Sequence, residues 1–479
     1  MAGATTPLSG TSETRVRDVV VVGGGIAGLT AAWRLRHRDV LLLEASDRVG
    51  GRMRSEPYGE YWLNFGAHLF PSPGSLVDSI AGELGLETVR VWGSMMGLAV
   101  GGRKLTSGPV ETYPFRLPLS LTDRASFALR GLKVQRAVAA YHRVARPRPG
   151  ESPAETRARI LAHEDDRTFG DFLGSMSPDV RAIFACAAHR ATAELDELSA
   201  GCGIGLFALV WGGKGSLIAR NMVGGTGRLP QAIADRLGPG RVRAGSTATA
   251  IRTDGRGLAI ELSDASGSWS VRARHVIVAA QAPHAAPLVR PVAPAAAESL
   301  TAMRYGAFLN VAIATKEREA MPWDGIYAMA TPGRAFDMFT NQAHAFRSRQ
   351  PRRAGGSLML FAGGHGAREL AEHPDDRIVR RFVDDLVGLF PGARGIVDHA
   401  VVQRWPLGNV FARPGRHLLQ SALEGALGPA GNLHLAGDYF AELGNLEAAA
   451  GTGASAAARV DRLLDATRDE PSADRENVA

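Results

Sequence analysis

Gly23, Gly25 and Gly28 stand at G-x-G-x-x-G spacing, and Glu44 follows 21 positions after the first of them. Each residue type suits one step in holding a dinucleotide. Gly23 permits a tight turn, Gly25 lets backbone N–H groups approach a pyrophosphate at the positive end of a helix, and Gly28 lets that helix pack close to a strand. Ile26 and Ala27 complete the cradle. Glu44 can accept hydrogen bonds from a ribose diol, and an acid there disfavours a 2′-phosphate. Gly50, Gly51 and Arg52 close the stretch 44–52, EASDRVGGR, and supply a second loop for phosphate and flavin, which favours FAD over NAD.

These residues need a strand, turn, helix, strand frame, and the hydrophobic pattern supplies it. Residues 19–22 form a buried-strand run, Ile26, Leu29, Ala32 and 33–35 recur at helical spacing, and Val40–Leu43 is a second apolar run. Residues 276–280 and 433–436 fit strands returning to the same sheet. The fold class is therefore α/β: a Rossmann-like FAD-binding domain with an inserted α+β substrate domain. The expected division is 17–80, 220–290 and 425–465 for the FAD-binding domain, with 81–219 and 291–424 for substrate. A flexible leader over 1–16 and a disordered tail over 466–479 complete it. In the second domain, helices are expected over 115–141, 168–191 and 376–390, and strands over 308–315 and 357–361. Residues 143–166 alternate in charge after Arg-Pro-Arg-Pro-Gly and read as a solvent-facing connection, with His163 and its neighbouring carboxylates on a solvated face.

Composition narrows the classes. With 45% hydrophobic residues, 22% charged and 57 Gly in 479 residues, collagen-like, disordered and disulfide-built chains fit poorly. Cys186 and Cys202 lack metal-ligand spacing, so no metal is expected and at most one disulfide. The net charge is +7, but the basic residues, all arginine save Lys104, Lys133, Lys214 and Lys316, are scattered among acids, so no nucleic-acid partner is expected. No secretory signal and no apolar run of about 18 residues is found, and a cytoplasmic protein is expected. The stretch 115–148 places Phe127, Leu129, Leu132 and Val134 among Arg124, Arg130, Lys133 and Arg136. It reads either as a core-packed helix or as a peripheral membrane contact that admits an apolar substrate.

Five segments share one likeness. Besides Arg48, Gly50, Gly51 and Arg52 in E-x-x-x-R-x-G-G-R order, residues 62–68 read WLNFGAH, 224–237 GGTGRLPQAIADRL and 276–283 VIVAAQAP. LAGD at 435–438 precedes GNLE at 444–447. In these the chain resembles the flavin-dependent oxidoreductase superfamily that includes monoamine and polyamine oxidases, protoporphyrinogen oxidase and the phytoene desaturases, over residues 17 to about 465. The resemblance implies FAD contacts from Glu44, Ala45, Arg48 and Arg52, a passage beside the flavin for Gly66, Ala67 and His68, and a strand carrying Ala248 over the adenine. It places Gly437 and Asp438 at the ribityl chain. A helix opening near Asn445 would direct its free N–H groups, Leu446 included, at the pyrimidine edge.

A flavin takes a hydride from a substrate C–H bond, so the protein supplies binding, orientation and exclusion of water, and no acid–base residue is assigned. Departures from the amine oxidases matter. Asn310 falls where the family strand bears its flavin-facing lysine, with Lys316 six residues later, and Asn445 replaces the second tyrosine of an aromatic cage. No cysteine lies near the C-terminal flavin segment in sequence, so FAD is expected to be noncovalent. Residues 404–406, Arg-Trp-Pro, resemble a segment of porphyrinogen oxidases and carotenoid desaturases. The expected cavity-lining residues are His68, Tyr305, Asn310, Trp405 and Asn445. The expected activity is oxidation or desaturation of an apolar, cyclic or polyene-like small molecule, with dioxygen or another acceptor as oxidant. Amine oxidation, redox-neutral isomerisation on reduced flavin, and a non-enzyme role like that of the Rab escort and GDP-dissociation inhibitor proteins are the competing readings.

Overall fold

The computed structural model describes residues 15–91, 97–208, 210–211, 218–255, 257–347, 351–427 and 431–469. The expected leader and tail thus lie largely outside the described residues. Where they overlap them, the first strand already begins at Val16 and the last helix continues to Asp469, so 466–469 are helical.

Val16–Val22 lies at the centre of a seven-stranded sheet, parallel to Val40–Leu43 on one side and to the end of Gly267–Val278 on the other. Strands buried on both faces read as continuous apolar runs, which explains the four consecutive valines at 19–22. Alternation decides which side each one serves. Val19, Val21 and Leu42 pack with the helices Ile26–Arg34 and Leu446–Asp469, while Val20, Val22, Leu41 and Leu43 pack with Ala282–Val289, Pro294–Ala302 and Arg416–Leu427. Leu433–Leu435 joins in parallel beside Val276, Ile277 and Val278. Thr247–Asp254 and Gly257–Asp264 extend the sheet in antiparallel fashion.

A second seven-stranded sheet runs in the order Val397–Val410, Tyr305–Thr315, Gly356–Gly363, Met338–Asn341, Ala328–Ala330, Gly97–Val100, Arg103–Leu105. Leu309, Val311 and Ile313 face the helix Asp375–Leu389, whereas Ala312 and Ala314 face Leu63 and Phe65. Asn310 shares that second face by the two-residue period of a strand. A small third sheet of Phe70–Ser72, Ile218–Met222 and Thr88–Arg90 is hydrogen-bonded to neither large sheet and packs against both.

Two expected helices are each divided. The first becomes Tyr113–Arg116 and Leu121–Ala145, separated at Pro118 and restarted by Ser120, whose hydroxyl accepts from the Asp123 N–H at 3.1 Å. The second becomes Phe169–Leu173 and Pro178–His189, divided at Gly174, whose φ of +78° suits glycine. The stretch 143–166 is less solvated than its charge pattern suggests. It holds the helix Pro153–Leu161, and Asp165 is buried, accepting from the His417 backbone N–H and Nδ1 at 2.8 and 2.7 Å.

Candidate active site

The first strand turns into the first helix at Gly23, whose φ is +110° and whose N–H donates to the Leu43 carbonyl at 2.8 Å. A Cβ at Gly28 would stand 1.9 Å from the Gly23 carbonyl oxygen, so this position admits no side chain. At Gly25 the same added atom meets nothing within 4 Å. Space is thus kept at the N-terminus of the helix Ile26–Arg34, where unpaired N–H groups and the helix dipole favour a phosphate. Ile26 and Ala27 are buried at that terminus.

The second glycine loop docks on the first. Gly50 N–H donates to the Gly24 carbonyl at 2.8 Å, and a Cβ on Gly51 would lie 3.6 Å from Gly25 Cα. Arg48 braces this loop from the carbonyls of Val49 and Gly51. Glu44 accepts from the Gly24 and Ser46 N–H groups at 2.7 and 2.8 Å, which fixes its carboxylate beside the cradle, next to exposed Ala45. Gly245 and Ser246 bond to the backbone of Ser46 and Glu44, and lead into the strand that carries half-buried Ala248.

Arg52 links the distant parts. Its carbonyl accepts from the Ala67 N–H at 3.1 Å, leaving room only for glycine at Gly66, where a Cβ would approach it to 2.1 Å. Its guanidinium pairs with buried Asp438 at 2.8 Å and donates to the Gly408 carbonyl at 3.0 Å. Gly437 donates to Thr452 Oγ1 on the last helix. Asn445 caps that helix, its Oδ1 accepting from the Ala448 N–H at 2.8 Å, so the first N–H groups, Leu446 among them, have no partner one turn earlier. The helix presses on the cradle: a Cβ on Gly453 would lie 2.0 Å from the Ala27 carbonyl oxygen.

His68 Nδ1 lies 3.0 Å from the Gly66 carbonyl oxygen. A carbonyl only accepts, so Nδ1 carries the proton and Nε2 presents a lone pair, buried and with no partner among the described residues. Burial pushes the imidazole down to about 4, and the ring is neutral at neutral pH. This orphaned acceptor, the open space at Gly25 and the Arg52–Asp438 link fit FAD.

Beyond His68 opens a cavity of 1680 Å³. Its floor is the second sheet, with Tyr327, Met338 and Phe361, and its roof is helical, with Phe127, Phe184 and Phe207. Of the five expected lining residues, His68 and Asn445 reach the wall. The other three, Asn310, Trp405 and Tyr305, are not among the residues of this wall. Asn310 lies on the strand face that meets Phe65 and donates to its carbonyl at 2.6 Å. Trp405 donates to the same carbonyl from the next strand, also at 2.6 Å. The Tyr305 hydroxyl accepts from the Ala282 N–H at 3.3 Å, and its ring packs with the core on the far side of the first sheet.

Several wall residues were invisible to motif reasoning. Glu442 lines the cavity, receives a hydrogen bond from the Tyr141 hydroxyl and has its Oε2 buried without a partner among the described residues. Burial pushes this carboxyl up to about 7. Arg157 and Arg190 also line the cavity, the former from the stretch expected to face solvent. Cys202, remote in sequence from the C-terminal flavin segment, has its thiol 3.2 Å from the Glu442 carbonyl oxygen. Burial raises that thiol's pKa, keeping it protonated and a poor nucleophile. Both cysteines are free.

Fold and site together define an FAD-dependent oxidoreductase. The chain belongs to the flavin-containing amine oxidoreductase family, whose model matches residues 26–461. It is similar to coproporphyrinogen III oxidase of Mycobacterium leprae (strain TN), with 28% identity over 444 residues, 89% of this chain and 95% of that protein. Flavin-containing amine oxidase A of Canis lupus familiaris is 42% identical over 109 residues, which are 22% of this chain and 19% of its own length. Among solved structures, cyclohexylamine oxidase from Brevibacterium oxydans IH-35A shares the fold with a TM-score of 0.72 at 21% identity, covering 94% of this chain and 100% of that one.

Proposed function

We propose that this chain oxidises or desaturates an apolar, cyclic or polyene-like molecule, with residues 17–80, 220–290 and 425–465 holding the flavin. The observation that carries this reading is the cavity itself. At 1680 Å³ it exceeds the roughly 300–1,000 Å³ of ordinary ligand pockets, and its aromatic and aliphatic walls meet the cofactor surface at His68 and Asn445.

Bound in the cradle, FAD supplies a two-electron acceptor for a hydride from a substrate C–H bond, and dioxygen or another acceptor is its oxidant. The cradle, Arg52 and Asp438 fix the cofactor's position, while the apolar walls orient the substrate and exclude water. Neutral His68 offers a hydrogen-bond acceptor without adding a charge to the apolar site. The position matching the family's lysine holds Asn310, whose Nδ2 donates to Phe65 while its Oδ1 is buried without a partner among the described residues, and Lys316 is exposed past the end of its strand.

Amine oxidation is the second reading, favoured by one feature: the Glu442 carboxyl in the wall can receive a proton or hold an ammonium group. The separating experiment is anaerobic mixing of the purified yellow protein with amines, porphyrinogens and isoprenoids while the visible flavin band is followed. Bleaching by a porphyrinogen or isoprenoid supports the first reading; bleaching by amines alone replaces it with the second.

The basic helix Leu121–Ala145 exposes Leu121 (81%) and Leu129 (64%), and Phe115 lies just before it, while Phe127 and Leu132 reach the cavity wall. We read this as a peripheral membrane contact beside the cavity. No helix among the described residues is long and apolar enough to cross a membrane.

A further inference from the structure

Arg157 and Arg190 enter the cavity from separate elements. Arg157 lies in the helix Pro153–Leu161, and Arg190 directly follows Pro178–His189. No side-chain hydrogen bond or ion pair engages either guanidinium among the described residues, and Arg157 Nε is buried without an acceptor. Elsewhere in this protein, enclosed arginines are partnered. Arg347 pairs with Glu317 and Asp324 at 2.7 and 3.1 Å, Arg52 with Asp438, and Arg416 donates to the Tyr439 carbonyl.

The carboxylates of the same wall make no ion pair with either arginine and accept from other donors, Glu442 through one oxygen only. Glu111 accepts from Trp211 and Gln135, Glu442 from Tyr141, and Glu447 from the Leu76 and Val77 N–H groups. Glu424, whose field reaches Arg157, accepts from Gln420 and makes no ion pair with it. The internal segments outside the described residues contain no Asp or Glu. Burial lowers the proton affinity of both guanidinium groups, with no partner of Arg190 opposing it. An arginine does not discharge by losing its proton, so an enclosed, unpaired one calls for an anion. Arg190 is also well anchored: the preceding His189 is held between Asp337 and Glu194 at 2.6 and 3.2 Å.

We propose that Arg157 and Arg190 are a two-point anion clamp, and that the substrate is amphipathic, an apolar body bearing two carboxylate or phosphate groups. The inference rests on the reading of this cavity as the substrate cavity, and it adds the charged ends that the apolar walls alone do not specify. A planar guanidinium fork matches either oxyacid.

The test is calorimetric titration of the FAD-loaded protein with tetradecanedioic acid, its dimethyl ester and tetradecanediyl bisphosphate, flexible chains that adapt to the separation of the two arginines. The diacid or the bisphosphate binds at least tenfold tighter than the ester, and the stronger of the two names the group. Arg157→Gln and Arg190→Gln each weaken the acid probe at least tenfold and leave the ester unchanged, with Lys at either position recovering part of the loss. Equal binding of acid and ester, no binding of any probe, or unchanged acid binding in both Gln variants overturns the clamp. FAD content and flavin bleaching on the same samples report the oxidoreductase reading separately.

Discussion

Asn310 Nδ2 and Trp405 Nε1 donate to one acceptor, the main-chain carbonyl of Phe65, each at 2.6 Å. They come from neighbouring antiparallel strands in which Phe308 stands opposite Trp405. The carbonyl they share immediately precedes Gly66, so the second sheet sets the position of the segment that carries His68 to the cavity wall.

Removing one donor leaves the carbonyl partnered, whereas removing both orphans a buried acceptor. Asn310→Leu and Trp405→Phe should each lower stability by about 1 kcal/mol, and the double variant by more than their sum. Urea unfolding of the four proteins checks this; simple additivity counts against a shared acceptor.

Glu442 titrates in the opposite sense to a salt-bridged acid. Its folded value near 7 lies above the ordinary 4.5 because burial disfavours the charge, with the Tyr141 hydroxyl opposing that shift and the Cys202 thiol close by. The stability it contributes is full below about 4.5 and is lost as pH rises through 7. Glu442→Gln keeps the shape without the charge, so at pH 8 it should exceed the wild type by up to about 3 kcal/mol, with the gap closing at pH 5. A gap independent of pH would contradict the buried titration.

Burial alone would lower the His189 pKa, but its hydrogen bonds to Asp337 and Glu194 outweigh burial and raise it to about 10. His365 and Cys186 are the other titratable groups facing this cluster. A raised histidine stabilises fully below 6.5 and loses its effect as pH climbs to 10. The thermal midpoint of the wild type should therefore fall between pH 7 and 10, and that of His189→Gln should change less. Parallel curves for the two proteins would remove His189 from the cause.

Flotation with anionic vesicles tests the membrane contact. Binding at low salt that is lost in Leu121→Glu with Leu129→Glu, while FAD content is unchanged, is the expected outcome. Absence of flotation at low salt assigns the exposed leucines to something else.

The dinucleotide frame was legible because its information is local. Val40–Leu43 was bounded to the residue, and the glycines of 23–28 and 50–51 sit where the backbone demands them. The helix breaks were also written locally, in Pro118 with Ser120 and in Gly174 with Pro178, but charge and apolar periodicity run through them and mask the stop. The cavity was not legible. Glu442, Tyr141, Arg157 and Arg190 are brought together by packing across long sequence separations, and no spacing rule relates them. Asn310 and Trp405 were chosen for the right neighbourhood, but the face of a strand, set by register with Phe65, decides that their N–H donors serve the backbone.

The central claim is that the glycine cradle and the segment from Gly437 to Leu446 together hold FAD beside the cavity. Fluorescence titration of the apoprotein with FAD, run on the wild type and on Gly25→Val, tests it most directly, because Gly25 has open space around its added Cβ and the variant's fold is not challenged by a clash. One FAD per wild-type chain, with affinity reduced at least tenfold in a variant of unchanged apoprotein stability, is the predicted result. A wild-type protein that takes up no FAD, or a Gly25→Val protein that binds it equally well, contradicts the account.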